Sequence, residues 1–288
     1  MILRKEIAVM AARKGVPGAT IEKDWALGHF LDALFSVMEL RDKLVFKGGT
    51  CLRKCFLPDY RFSEDLDFTS KDQMFKLTGK HLSAISDLLK ERTGMQTHLV
   101  SIRDLLYKDQ LAGFEAVIKY WGADHPRNEV PPPPQRWQSK VKIEVILYES
   151  IFYPITFREV VHPYSDALTE NAKQIPCYSI EEILSEKIRS LVQRSYTAPR
   201  DLYDLWFLSG YYKDIDLNEL AVSFKKKMSF KGYVFTGVEQ LLSTENDKPL
   251  KASWNNSLRR QVPGGIPDYD AVKTELMKWL NTVLVTNC

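Results

Sequence analysis

This sequence has few cysteines, no excess of one charge and no long apolar run. Its 288 residues include four cysteines, and 40 basic against 37 acidic residues leave a net charge of only +3. The cysteines form no CxxC pair and no Cys/His cluster at zinc spacing, so neither a disulfide framework nor a structural zinc site is expected. The five histidines are too scattered to indicate a metal site. The small net charge restricts any contact with nucleic acid to local patches.

The lack of long apolar runs excludes a membrane-spanning protein. No stretch approaches the ~20 apolar residues that cross a bilayer. The N-terminal "MILRKEIAVMAARKG" carries charges among its apolar residues, unlike the core of a signal peptide. We therefore expect a soluble, cytoplasmic protein, with one large domain or two closely joined ones.

The two halves of the chain differ in pattern. Residues 1–165 combine helical segments with strand-like ones rich in β-branched and aromatic residues, such as "GFEAVIKYWG" and "KVKIEVILYES". One helix with a single buried face is predicted from Ile21 to Leu40. Residues 166–288 show helical periodicity, with a capping box at Ser179 and Glu182. The sequence thus predicts an α/β N-terminal domain and a mainly α-helical C-terminal domain.

Two aspartates stand out in "RFSEDLDFTS". Successive side chains of a strand point to opposite faces, so Asp65 and Asp67 share one face and Leu66 and Phe68 the other. Parallel carboxylates repel each other unless a cation lies between them, and Mg²⁺ takes such oxygen ligands. An isolated DxD is more often an exposed edge strand, so this motif needs support from elsewhere.

Support comes from "FKGGTCLR", which precedes the aspartates. It is predicted to be a strand, a Gly-Gly turn and a helix that Thr50 can cap. Such a turn offers backbone N–H groups to a phosphate, although glycines also simply make turns. Glu144 in "KVKIEVIL" faces away from the apolar side of its strand and could add a third carboxylate; an exposed strand glutamate is the alternative. Together these features are the arrangement of a DNA polymerase β-type nucleotidyltransferase.

The motifs also occur in a family-specific order. "FKGGTCLRKCF", "RFSEDLDFT", "KIEVILYE", "EILSEKIRSLVQR" and "RDLYDLWFL" resemble the AbiEii/AbiGii family of nucleotidyltransferase toxins, from about Glu22 to Leu208. The last eighty or so residues match only in being helical. The resemblance implies a polymerase β-like core, a mixed sheet flanked by helices, with a helical C-terminal domain that contributes a lysine and an aspartate to the site.

The resemblance also implies roles for individual residues. Asp65 and Asp67 would hold the metal, with Glu144 as a less secure third ligand, while Lys187 and Asp204 would act in catalysis, with Asp201 as a second acid. From their positions beside the proposed site, and not from the resemblance, Arg53 would offset phosphate charge or else be a solvated residue, and Ser63 would bind phosphate or bond only to backbone. The nucleotide-binding set is Lys47, Gly48, Gly49, Thr50, Arg53, Ser63 and Lys187.

The expected activity is transfer of a nucleoside monophosphate from an NTP, with Mg²⁺ or Mn²⁺, to RNA. The family implies the 3′ end of tRNA as acceptor and growth inhibition that a cognate antitoxin relieves. Two alternatives stay open: transfer to a protein or small-molecule hydroxyl, and a catalytically idle nucleotide-binding module. The tract "FKKKMSFKGY" and the pair Arg259-Arg260 would contact RNA or else be solvated faces.

Overall fold

A computed structural model describes residues 1–126, 129–193, 199–242 and 244–284. The chain forms two compact units. The first contains Met1–Glu149 and Ile155–Cys177, and the second contains Ser150–Pro154 and Tyr178–Cys288. The short segment Ser150–Pro154 belongs to the second unit, and the chain then returns to the first unit for Ile155–Cys177. The predicted division, a single boundary after residue 165, did not include this segment.

A mixed sheet organises the first unit. Its strands are β1 (Leu44–Lys47), β2 (Asp65–Ser70), β3 (Gln96–Tyr107), β4 (Gln110–Trp121), β5 (Lys140–Ile146), β6 (Thr156–Arg158) and β7 (Ile175–Cys177). Over the described residues their order is β3-β4-β5-β2-β1-β7-β6. Strand β2 is central, antiparallel to β1 and parallel to β5. The predicted mixed sheet with flanking helices is confirmed, and it places the aspartate strand between two neighbours.

Helices accompany this sheet and make up most of the second unit. In the first unit they are α1 (Arg4–Lys14), α2 (Gly18–Ser36), α3 (Met38–Lys43), α4 (Gly48–Cys51, continued by a π-helical turn over Leu52–Phe56) and α5 (Gly79–Thr93). In the second they are α6 (Ile180–Gln193), α7 (Pro199–Tyr211), α8 (Leu217–Phe230), α9 (Thr244–Leu258) and α10 (Tyr269–Leu284). The prediction of a helical C-terminal part is confirmed. No helix within the described ranges is long and apolar enough to cross a membrane.

Helix α2 differs from its prediction. A single buried face was expected over Ile21–Leu40, but α2 is buried almost all round. It ends at Ser36 because Val37 takes an extended conformation. Met38 therefore begins a new helix and is 77% exposed. The buried polar groups of α2 include Asp24, and the partners of that carboxylate matter for the site.

A buried ion pair lies inside the second unit. Ser179 accepts a hydrogen bond from the backbone N–H of Glu182 (3.2 Å), as the capping prediction requires. The Glu182 carboxylate instead accepts from the N–H groups of Phe152 (2.9 Å) and Tyr153 (2.8 Å) and pairs with Lys227 at 2.5 Å. This pairing joins the 150–154 segment to the helices. It also corrects one part of the proposed RNA tract, because Lys227 is fully buried.

Candidate active site

Strand pairing brings three carboxylates together. In the parallel pairing of β2 and β5, Asp67 lies opposite Glu144, and Asp65 lies opposite Lys142. Residues two apart on a strand share a face, and so do residues opposite each other in neighbouring strands. Asp65, Asp67 and Glu144 therefore lie on one face of the sheet, each partly exposed. Leu66, between the two aspartates, is fully buried on the opposite face, as the alternation of polar and apolar residues predicted.

A lysine that the sequence reading missed stands among these acids. The Nζ atom of Lys142 lies 3.5 Å from Oδ2 of Asp65 and 3.5 Å from Oε2 of Glu144. Lys142 alternates with Glu144 along "KVKIEV", so the same period-two argument that selected the glutamate could have found the lysine. Its ammonium partly neutralises the two flanking carboxylates.

The surroundings of Asp67 disfavour its negative charge. Burial raises its pKa to about 7, assisted by the carboxylates of Glu144 and Asp65, while Lys142 and Lys47 oppose this only in part. A carboxyl whose negative charge is disfavoured in this way is stabilised by an added cation. Three hard oxygen donors of this kind suit Mg²⁺ or Mn²⁺, which keep further positions for water or phosphate.

The glycine turn packs directly against Asp67. Gly48 has a positive φ of +81°, which side-chain-bearing residues rarely adopt. A Cβ atom there would lie 2.5 Å from Oδ2 of Asp67, and one at Gly49 would lie 2.8 Å from Nη2 of Arg61 and 3.1 Å from Oγ of Ser63. The backbone conformation therefore favours glycine at position 48, and a side chain at either position would force its neighbours to move. The turn, the aspartate and the serine border one region.

Thr50 fastens this turn to the aspartate strand. Its hydroxyl donates a hydrogen bond of 2.5 Å to the backbone carbonyl of Asp65. Thr50 is almost fully buried. The predicted cap is therefore wrong: α4 begins at Gly48 with Lys47 as N-cap residue, Thr50 lies inside the helix, and its hydroxyl ties α4 to β2. Binding of phosphate by Thr50 remains a prediction.

Basic residues after the turn are engaged by α2. Arg53 donates from Nε to Oδ1 of Asp24 (2.6 Å) and from Nη1 to the carbonyl of Tyr60, and Lys54 donates to Oδ2 of Asp24 (2.7 Å). Burial alone would raise the pKa of Asp24, but Lys54 and Arg53 hold it well below its usual range. Arg53 thus supports the turn through a buried ion cluster. Contact between Arg53 and phosphate stays a prediction.

Within the helical unit, a lysine lies between two acids. The Nζ atom of Lys187 is 2.8 Å from Oδ1 of Asp201 and 2.7 Å from Oδ2 of Asp204. All three side chains are buried, Asp204 completely. Asp201 and Asp204 are three residues apart on α7 and so share a face. The carboxylate of Asp201 therefore has a defined partner in the α6 lysine.

The sequence matches a family of nucleotidyltransferase toxins. The family model described as nucleotidyl transferase AbiEii toxin, Type IV TA system, matches residues 29–275, and the chain belongs to this family. The resemblance is confirmed, and the match continues well beyond Leu208 into the helical unit. No curated protein sequence matches the chain.

Solved structures agree on the fold. The chain is similar to MenT4, a nucleotidyltransferase toxin from Mycobacterium tuberculosis H37Rv, with a TM-score of 0.67 and 19% sequence identity. That likeness covers 98% of this chain and 90% of MenT4. At so low an identity the likeness supports the shared fold alone.

Proposed function

We propose that this protein is a metal-dependent nucleotidyltransferase toxin that transfers a nucleoside monophosphate from an NTP to RNA, with the 3′ end of tRNA as acceptor. The observation that carries the proposal is the packing of Gly48 against Asp67, beside Asp65 and Glu144. A turn without side chains lets phosphate approach closely, and the adjacent carboxylates supply cation ligands. Membership of the AbiEii family supports the transferase class and the toxin role.

Asp65, Asp67 and Glu144 would hold Mg²⁺ or Mn²⁺. When bound, the ion supplies charge neutralisation for the triphosphate and lowers the pKa of an attacking hydroxyl. The residues of the chain do the positioning. Gly48 and Gly49 leave room for phosphate, and the backbone N–H groups of this turn are the donors that we assign to it.

Other residues carry supporting roles in this proposal. Ser63, next to the turn, would donate its hydroxyl to a phosphate oxygen, and Lys47, at the end of β1 and opposite Asp67, would add positive charge. Lys187 and Asp204 would form a second group of residues required for transfer. Lys187 pairs with two buried acids, which hold its ammonium group in one position. In this proposal the ammonium group acts on the triphosphate as a point charge.

The proposed setting is the cytoplasm, where NTPs and tRNA are available. Transfer to the 3′ end of tRNA would block aminoacylation, and so translation and growth, and a cognate antitoxin would relieve the inhibition. Expression of the protein alone should stop growth. Co-expression of the antitoxin, or replacement of Asp67 by Asn, should restore it.

The test uses purified protein, labelled NTPs, Mg²⁺ and total tRNA. Label should enter RNA, disappear on nuclease treatment, and be lost with Asp65→Asn or Asp67→Asn protein. Asp87→Asn is the matched control, since Asp87 is an exposed acid on α5. Label that survives removal of RNA would instead indicate a protein or small-molecule acceptor, and NTP binding without transfer would indicate an idle module.

A further inference from the structure

Three thiols meet in the core of the first unit. The Sγ atoms of Cys51, Cys55 and Cys177 all lie within 4.8 Å of one another. All three residues are buried, with Cys51 and Cys177 fully inaccessible and Cys55 7% exposed. None of them forms a disulfide. This arrangement was invisible in the sequence, because 122 positions separate Cys55 from Cys177.

Two elements bring the thiols together. Cys51 ends α4, and Cys55 follows one helical turn later in the π-helical segment Leu52–Phe56, so the two side chains share a face. Cys177 is the last residue of β7, which pairs with β1 at Phe46. Two ligands from one helical turn and a third from a neighbouring strand leave little chain entropy to lose on closing a site.

The three thiols differ in their protonation: burial raises the pKa of Cys51 and Cys177 well above the usual range, whereas that of Cys55 is lowered. Burial alone would raise the pKa of Cys55, but the neighbouring thiols of Cys177 and Cys51 lower it, and the cations Lys54 and Arg158 add to the effect. The Cys177 thiol donates its proton to the carbonyl of Ile175 at 3.3 Å, so metal binding would release thiol protons from this group.

We propose that Cys51, Cys55 and Cys177 bind one soft metal ion, of the Zn²⁺ or Cu⁺ class, through their sulfur atoms. Metal–sulfur bonds of about 2.3 Å place ligand sulfurs about 3.8 Å apart, so the observed spacing needs only a small contraction. Thiolates select such ions over Mg²⁺, which separates this site from the carboxylates of β2. Cys55 is the one cluster member with any exposed surface.

A second cluster of metal-ligating groups does not support a similar proposal. His29, His162 and Asp166 also lie within 4.8 Å of one another. Asp166 already accepts hydrogen bonds from the Trp25 indole (3.1 Å) and pairs with both imidazoles at 3.2 and 3.0 Å. Metal-binding histidines normally donate their other ring N–H to an acceptor, whereas Nδ1 of His162 is buried against Gly28 with no hydrogen-bond partner among the described residues. This cluster is a hydrogen-bond network.

An ion at the cysteine cluster would join the helix after the Gly-Gly turn to β7. Cys51 directly follows Thr50, whose hydroxyl holds that helix to the aspartate strand. The metal would therefore stabilise the first unit. The proposal does not depend on the transferase activity, because its tests measure metal binding alone.

The test is a titration of reduced full-length protein with Cd²⁺, read from the ultraviolet thiolate-to-cadmium charge-transfer band. We expect one Cd²⁺ per chain, loss of the band in Cys55→Ala protein, and displacement of Cd²⁺ by Cu⁺. Cys55→Ala is the preferred variant because Cys55 is the least buried of the three. Cys288→Ala, which alters the remaining cysteine of the sequence, is the matched control and should leave the band unchanged.

A second measurement covers the case in which Cys55→Ala protein does not fold. X-ray absorption of zinc-loaded wild-type protein should show three sulfur neighbours at about 2.3 Å. Absence of the charge-transfer band in wild-type protein, its persistence in Cys55→Ala, or a nitrogen- and oxygen-only zinc environment would overturn the proposal.

Discussion

Replacement of Asp67 by Asn should stabilise the metal-free protein while abolishing nucleotide transfer. The pKa of this carboxyl is raised from 3.8 to about 7, so the folded state favours the protonated form. The stability associated with that form is complete below pH 3.8 and is lost as the pH rises through about 7. Above both values the penalty reaches about 4 kcal/mol at about 1.4 kcal/mol per pKa unit. Because Asp67 is partly exposed to solvent, which screens its charge, we expect about 2 kcal/mol.

The assay is urea unfolding of wild-type, Asp67→Asn and Asp87→Asn protein in EDTA at pH 5 and pH 8. Asp67→Asn should gain about 2 kcal/mol over wild type at pH 8 and much less at pH 5, whereas the control should follow wild type at both. Mg²⁺ should stabilise wild-type protein at pH 8 and leave Asp67→Asn nearly unchanged. If Asp67→Asn protein is no more stable than wild type at pH 8, the folded state does not disfavour the Asp67 carboxylate, and the raised pKa is wrong.

Three further substitutions test the supporting structure. Gly48→Ala places a side chain at a positive φ and against a neighbouring carboxylate; it should cost at least about 1 kcal/mol and reduce transfer, and an unchanged Tm would refute the steric argument. Lys227→Met leaves the Glu182 carboxylate buried without its cation and should lower the free energy of unfolding in denaturant by about 3–5 kcal/mol. The double variant Lys227→Met/Glu182→Gln should be less destabilised, and an equal loss of stability in the single and double variants would contradict the pairing. Thr50→Val removes the hydroxyl bond to the Asp65 carbonyl and should cost about 1 kcal/mol, while Thr50→Ser should keep most of the stability and activity.

Local patterns in the sequence predicted the parts of the site that lie within one element. The period-two alternation of "EDLDFT" placed Asp65 and Asp67 on one face, and β2 shows that placement. Paired glycines predicted the turn, and Gly48 has the positive φ that makes glycine necessary. Helical periodicity predicted the C-terminal half. Each of these properties depends on neighbouring residues, so the chain displays it directly.

Contacts between distant segments were harder to predict. The Asp24 cluster with Arg53 and Lys54, the pairing of Glu182 with Lys227, and the three-cysteine cluster all join residues far apart in sequence. No local period encodes such pairings, because they arise from sheet order and helix packing. From the sequence, Arg53 was assigned to phosphate and Lys227 to a tract that contacts RNA or solvent, whereas in the folded chain both pair with buried carboxylates.

The most direct test of the central claim is the fate of the two ends of the triphosphate. Wild-type protein is incubated with tRNA, Mg²⁺ and an NTP labelled either at the α-phosphate or at the γ-phosphate. Transfer of a nucleoside monophosphate predicts α-label in RNA, γ-label in released pyrophosphate, and neither product with Asp67→Asn protein. Label from the γ-phosphate in the acceptor, or α-label transfer that persists without Asp67, would contradict the assignment of the β2 carboxylates to nucleotidyl transfer.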